Sequence, residues 1–203
     1  MNRFASIISA VFSPLFIPTY GVGLALLTTT LYYVTPSAKW HVLLTTLATT
    51  GMIPLIAIYL LSRIGRVTDI GLNERRERTL PYLISLACYL GCAGYLVTVH
   101  SPAWLTMFMV GGAVTLAVTM TINFWWKISA HAAGMGGLAA LMIHIIARGL
   151  NVWETEWVAM SAIILAGLVC SCRLILRRHT LGQLAAGFAL GFLAVYIATD
   201  FNY

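Results

Sequence analysis

Charge is what this chain has least of. Asp, Glu, Lys and Arg make up 9% of its 203 residues, against about 25% in a soluble domain. That is too little to coat a soluble globule. Acid is scarcer still, with six Asp and Glu against twelve Lys and Arg and a formal net charge of +6. The hydrophobic share of 60% excludes disorder, and four cysteines are too few for a disulfide scaffold. Collagen and coiled-coil patterns, internal repeats and low-complexity tracts are also missing. The apolar runs do not alternate, which excludes a β-barrel.

What is present is long uncharged sequence, with a mean hydropathy of +0.89. No Asp, Glu, Lys or Arg occurs in 4–38, 40–62, 79–126, 128–147, 157–172 or 179–199. A membrane helix needs about 20 apolar residues, so the run 79–126 holds two, with His100-Ser101-Pro102 as the turn between them. The sequence therefore predicts one all-α, multi-pass transmembrane bundle over 1–203, with no soluble domain. The predicted spans are 17–36, 41–62, 80–99, 103–124, 131–148, 157–176 and 180–199. Pro14 and Pro18 interrupt the first, so residues 4–16 form either its start or a separate interfacial segment. The apolar stretch runs past any plausible cleavage site, against a cleaved signal peptide.

Seven crossings sort the loops into two sides. Side A collects ten of the twelve Lys and Arg: Arg3, Arg63, Arg66, Arg75, Arg76, Arg78, Lys127, Arg173, Arg177 and Arg178. Side B keeps Lys39 and Arg148. The positive-inside rule makes side A cytoplasmic; an anion site built from arginines explains the same bias. Three predicted helices also start on side A, near Thr79, His131 and His179. Helix N-termini present unpaired N–H groups and a positive dipole end, which suits phosphate. The spans carry no carboxylate, against an ion-coupled transporter.

Three segments then read together: Asn-Glu-Arg-Arg-Glu-Arg-Thr-Leu-Pro at 73–81, Lys-Ile-Ser-Ala-His at 127–131, and Cys-Arg-Leu-Ile-Leu-Arg-Arg-His-Thr-Leu-Gly-Gln at 172–183. This set resembles the type 2 phosphatidic acid phosphatase superfamily of integral membrane phosphatases over residues 73–187. That family's pattern is Lys-x6-Arg-Pro, then Pro-Ser-Gly-His, then Ser-Arg-x5-His-x3-Asp. Arg173 and His179 keep the family spacing, Ser129 and His131 keep two positions of the second motif, and Arg78 is the best match in the first. Gly71 stands where the family has Lys, leaving Arg75, Arg76 or Lys127 to supply that charge. Gln183 stands where the family has Asp.

The resemblance implies a metal-independent, cofactor-free phosphatase of a lipid-linked phosphate: phosphatidic acid, phosphatidylglycerophosphate or a polyprenyl phosphate or diphosphate. His179 would be the nucleophile and form a phosphohistidine. His131 would protonate the leaving oxygen, and Gln183 would orient His179. Arg78 and Arg173 would clamp the phosphoryl oxygens with Ser129, and Arg75 and Lys127 are accessory candidates. Planar guanidinium groups suit phosphate, and imidazole suits both nucleophile and acid near neutral pH. Gln183 brings no negative charge. Either Asp69, Glu74 or Glu77 supplies one, or the enzyme is slow, or the chain is a dead member that binds or transports phospholipid. The expected setting is a bacterial plasma membrane. Bacterial members of the family usually face away from the cytoplasm, whereas the charge bias favours a cytoplasmic site.

Other residues have plainer readings. His41, His100 and His144 suit interfacial or packing roles, and Arg177 and Arg178 suit lipid phosphate. Cys88, Cys92, Cys170 and Cys172 read as packing rather than metal ligands. Trp40, Trp104, Trp125, Trp126, Trp153 and Trp157 sit at span ends as an interfacial belt. Gly134, Gly136 and Gly137 permit close helix packing. The positive charge is explained by lipid and phosphate, without nucleic acid.

Overall fold

A computed structural model describes residues 2–69, 71–72 and 74–201. Asn73, the first residue of the first motif segment, lies outside them. The described chain is an all-α bundle. Six of its helices are long and apolar enough to cross a membrane: Pro36–Arg63, Arg75–Thr98, Ala103–Ile122, Ala130–Ala147, Glu156–Ile175 and Leu181–Asp200. By the length and composition of these helices the protein is a membrane-spanning one.

The first predicted span, 17–36, is corrected. Helix α1 covers Asn2–Val11, the chain breaks at Ser13-Pro14, and α2 covers only Ile17–Thr28. At about 1.5 Å per residue, α2 is about 18 Å long, short of the roughly 30 Å hydrocarbon core. A short 3-10 turn at Thr30–Tyr33 then leads to Pro36, which opens the next helix. Residues 13–29 still join the two ends of the bundle. Ile17 packs on Gly134 one turn inside a neighbouring helix. At the other end, Val152 N–H donates to the Thr28 carbonyl at 2.9 Å.

Pro36–Arg63 is one rod in two parts, α3 (Pro36–Thr46) and α4 (Ile53–Arg63), joined by a wide π turn at Leu47–Met52. Pro54 explains the turn. It has no N–H, and its ring crowds the carbonyl four residues back, so the ladder opens there. The Thr49 and Thr50 hydroxyls donate to the Thr45 and Thr46 carbonyls at 2.8 and 2.9 Å.

The remaining helices are α5 (Thr79–Thr98), α6 (Ala103–Ile122), α7 (Ala130–Ala147), α8 (Glu156–Ile175) and α9 (Leu181–Asp200). Helix α7 is the central one and the most buried. It meets α9 at contact distance because both carry glycine there. A Cβ at Gly191 would fall 1.8 Å from the Ala133 carbonyl oxygen, and one at Gly136 would fall 2.2 Å from that of Phe188. Small residues let membrane helices approach in this way. The crossing also ties together the starts of α7 and α9, where Ser129 N–H donates to the Gln183 carbonyl at 3.3 Å. Five of the six tryptophans are exposed at helix ends, as a belt requires; Trp104 is instead buried in the core at 5% exposure.

Candidate functional site

The Arg-x5-His spacing has a plain structural meaning. Helix α8 stops after Ile175, and Arg177 takes a left-handed conformation with φ 52°. Arg178 N–H then returns to the Arg173 carbonyl at 3.1 Å, and Arg177 N–H returns to that of Leu174 at 2.8 Å. This is a Schellman-type reversal, which satisfies the last carbonyls of a helix and turns the chain back. Two residues later α9 begins, capped by Thr180. His179 is thus presented beside Arg173, between one helix end and the next helix start.

Gln183 closes this arrangement. Its N–H donates to Thr180 Oγ1 at 3.4 Å, and its Oε1 accepts the Thr180 N–H at 3.2 Å, a reciprocal capping box. The same Oε1 lies 3.1 Å from His179 Nδ1, and the Lys127 carbonyl oxygen lies 3.3 Å from that nitrogen. Both neighbours of Nδ1 are acceptors, so Nδ1 carries the proton and Nε2 carries the lone pair. His179 is 8% exposed. Burial pushes its pKa down to about 4, with Arg173 and Arg78 adding to the effect and its two hydrogen bonds opposing it. The ring is neutral at neutral pH, with Nε2 available to an electrophile.

His131 is the second residue of α7, whose N-cap is Ser129. Its Nε2 lies 3.0 Å from the Ser9 carbonyl of α1, so this nitrogen is the donor and Nδ1 is left for other partners. Arg78 ends the 3-10 turn Arg75–Arg78 that leads into α5. Its Nε donates to the Leu72 carbonyl at 2.8 Å and one terminal nitrogen to that of Ile128 at 3.4 Å. Arg78 and Arg173 are 5% and 8% exposed, and Arg173 Nε has no hydrogen-bond partner. Among the described residues neither guanidinium makes an ion pair. A buried cation without a counter-charge is costly, and both guanidinium groups border the same cavity.

These groups share one cavity of about 530 Å³ at side A, with Arg78, His131, Arg173 and His179 in its wall. Gln183 stands behind His179. Three other expected ligands are elsewhere. Ser129 is fully buried and its hydroxyl accepts the Ala132 N–H at 3.3 Å, so it caps α7 instead of facing the cavity. Arg75 lies outside the wall, where its carbonyl accepts from Asn123 Nδ2 at 2.9 Å. Lys127 contributes its carbonyl to His179, and its ammonium is not in the wall. Burial, followed by Arg78, lowers the Lys127 pKa against the opposing pull of Glu74.

Of the three carboxylates, Asp69 is in the wall, with Oδ1 accepting the Gly71 N–H at 3.1 Å. Glu77 is tied to Thr68 at 2.9 and 3.0 Å. Neither Glu77 nor Glu74 lines the cavity. The side chain that meets His179 Nδ1 is Gln183, not an acid.

Several wall residues escaped the sequence reading. Arg178, assigned there to lipid, lines the cavity, as do Tyr82, Ser85 and Tyr89. The latter three follow Arg78 at i+4, i+7 and i+11, a polar stripe on one face of an apolar helix. That signal was available. Ser9 acts through its backbone and left no signal. No family model, no curated protein and no solved structure matches the chain. The geometry itself defines the class: a multi-pass α-helical membrane protein with a basic, histidine-bearing cavity at one end of the bundle.

Proposed function

We propose that this protein is a metal-independent lipid phosphate phosphatase resembling the type 2 phosphatidic acid phosphatases. One observation carries the reading: Arg78, His131, Arg173 and His179, from three distant segments, line one cavity, with His179 Nε2 unprotonated. Arg78 and Arg173 bind the phosphoryl oxygens. His131 first takes a second proton on Nδ1 as the substrate anion binds beside it. His179 Nε2 then attacks phosphorus while the bond to the alcohol oxygen breaks, and His131 gives that oxygen the Nδ1 proton. His131 then accepts a proton from water as the water attacks the phosphohistidine. The P–N bond breaks, and phosphate and neutral His179 are released. Positioning and charge stabilisation are what phosphoryl transfer chiefly needs. Gln183 holds the ring through Nδ1 throughout, without adding charge. The substrate reaches the site from the bilayer.

Gln183 also supports a second reading, in which the arginines bind a phospholipid that the chain does not hydrolyse. Phosphate release from a panel of lipid phosphates in detergent with EDTA present separates the two. Release that needs His179 supports the phosphatase; binding without release supports the second reading.

We further infer that side A is cytoplasmic. Setting aside the arginines of the cavity, with Arg75 and Lys127, leaves Arg3, Arg63, Arg66, Arg76 and Arg177 against Lys39 and Arg148. A reporter fused after Tyr203 should then report a non-cytoplasmic side, since α9 ends at side B. A cytoplasmic signal would overturn the orientation.

A further inference from the structure

A phosphate occupies only part of a 530 Å³ cavity. Away from the arginines the wall changes character. Helix α1 and the turn after it contribute Ser6, Ser9 and Ser13. This is i, i+3, i+7 spacing, one face of a helix continued into its turn. The other face carries Phe4, Ile7 and Val11, which are 59%, 62% and 46% exposed. So α1 shows an apolar face outward and hydroxyls to the cavity. Ser9 is 6% exposed and its hydroxyl has no hydrogen-bond partner. A hydroxyl buried without a partner is unfavourable, and a wall meant only for a hydrocarbon chain has no use for the one at Ser9, or for the less buried hydroxyls of Ser6 and Ser13 beside it.

A second observation places the alcohol side of a substrate here. The Ser9 carbonyl holds His131 Nε2–H, so Nδ1 is the nitrogen that takes up a proton when the substrate anion binds and hands it to a leaving oxygen. The general acid is thus anchored to α1, and the leaving alcohol departs beside it. The carbons next to that oxygen run along Ser6, Ser9 and Ser13.

We propose that α1 is the specificity wall of the site. It selects phosphomonoesters whose alcohol carries a free hydroxyl within two or three carbons of the ester oxygen, a glycerol-type headgroup, over plain alkyl or isoprenoid phosphates. This rests on the reading that phosphate binds at Arg78 and Arg173.

The test uses the full chain in detergent with two ligands of equal chain length, dodecyl phosphate and 1-O-dodecylglycerol 3-phosphate, which has a free 2-hydroxyl. Phosphate release and ligand-induced thermal stabilisation are both read. The wild type should favour the glycerol ligand about tenfold in kcat/KM. The triple variant S6A/S9A/S13A should bring the ratio of the two ligands close to one. Ser9→Ala alone, which keeps the carbonyl that holds His131, should lower the ratio in part. An unchanged ratio in the triple variant, or a wild type that favours dodecyl phosphate, overturns the wall. If neither ligand releases phosphate but the glycerol ligand stabilises the wild type more than the triple variant, the phosphatase reading fails and the wall stands. If neither ligand stabilises the wild type at all, the phosphate site falls and the wall with it.

Discussion

The two ends of the bundle treat their cations differently. At side B, Arg148 pairs with Asp200, and both side chains are more than a third exposed. Lys39 donates to the Tyr32 carbonyl and lies 4.6 Å from the centre of its ring. At side A, Arg78 and Arg173 are nearly fully buried; Arg78 meets two peptide carbonyls and the Tyr82 hydroxyl, and Arg173 Nε has no hydrogen-bond partner. An exposed ion pair contributes little to stability, about 1 kcal/mol at most. A buried cation with no counter-charge costs far more. The side B cations settle the fold into the interface. Those at side A leave two buried positive charges at the wall of the cavity, and they add to the burial that keeps His179 neutral.

The largest effect should follow removal of the nucleophile. His179→Ala should lose more than about 10³ of kcat with an unchanged melting temperature, and His131→Ala should leave a phosphoenzyme that can be trapped with labelled substrate. Wild-type turnover in His179→Ala sinks the assignment. Next come the arginines. Arg173→Met or Arg78→Met should cost about 10² to 10³ in kcat/KM, as loss of a transition-state charge partner does, without loss of thermal stability. Arg148→Ala should do the opposite, keeping kcat/KM within about twofold while costing at most about 1 kcal/mol. If Arg148→Ala impaired catalysis as much as Arg173→Met, the contrast between the two ends would be broken.

How much of this was legible depends on the kind of signal. The spans from 79 onward follow from uncharged length, and their ends agree within about two residues. The first span was misread at its far end, because residues 29–35 are uncharged and hydropathy alone cannot see that the helix stops at Thr28 and gives way to a 3-10 turn, whereas the break before it was legible from Pro14. The Arg173-x5-His179 spacing was readable because it encodes a helix end and a helix start. Ser129 was misplaced because one sequence position serves equally as helix cap and as phosphate ligand, and only the direction of its hydroxyl separates the two. Ser9 was invisible because it acts on His131 through a carbonyl, a group every residue has.

The electrostatic half of the comparison can be sharpened with pH. His179 titrates near 4 in the folded protein and near 6.5 when unfolded. A lowered pKa means the unfolded chain binds the proton first, so folding stability falls as pH drops from about 6.5 to about 4. His179→Asn should remove part of that slope, read as melting temperature against pH. Inorganic phosphate should also flatten it, since an anion beside Arg173 and Arg78 favours imidazolium. An identical slope in wild type and His179→Asn would mean that neither burial nor the two arginines lower the His179 pKa on folding.

The smallest and most discriminating effect is expected at Gln183. Where an amide replaces the orienting carboxylate of a serine-protease triad, kcat falls about 10⁴ because the histidine adopts the wrong tautomer. That cause is absent here. Gln183 Oε1 is fixed as the acceptor by the Thr180 N–H, and the Lys127 carbonyl holds the same proton on Nδ1. What the amide lacks is charge, not orientation. Gln183→Glu keeps the length of the side chain and adds that charge beside a ring that becomes cationic as the phosphohistidine forms. One pKa unit is worth about 1.4 kcal/mol, or about tenfold, so kcat should rise by about that factor. His179 starts near 4, so a rise of one unit still leaves it neutral and nucleophilic at pH 7. Gln183→Ala should lose about tenfold, because Lys127 alone still holds Nδ1. Gln183→Asp is one methylene too short to keep the 3.1 Å contact without moving α9, so it should fall below Gln183→Glu. A Glu variant slower than the wild type would mean that the added carboxylate repels the phosphate more than it stabilises imidazolium, and that the neutral amide suits this cavity as it stands.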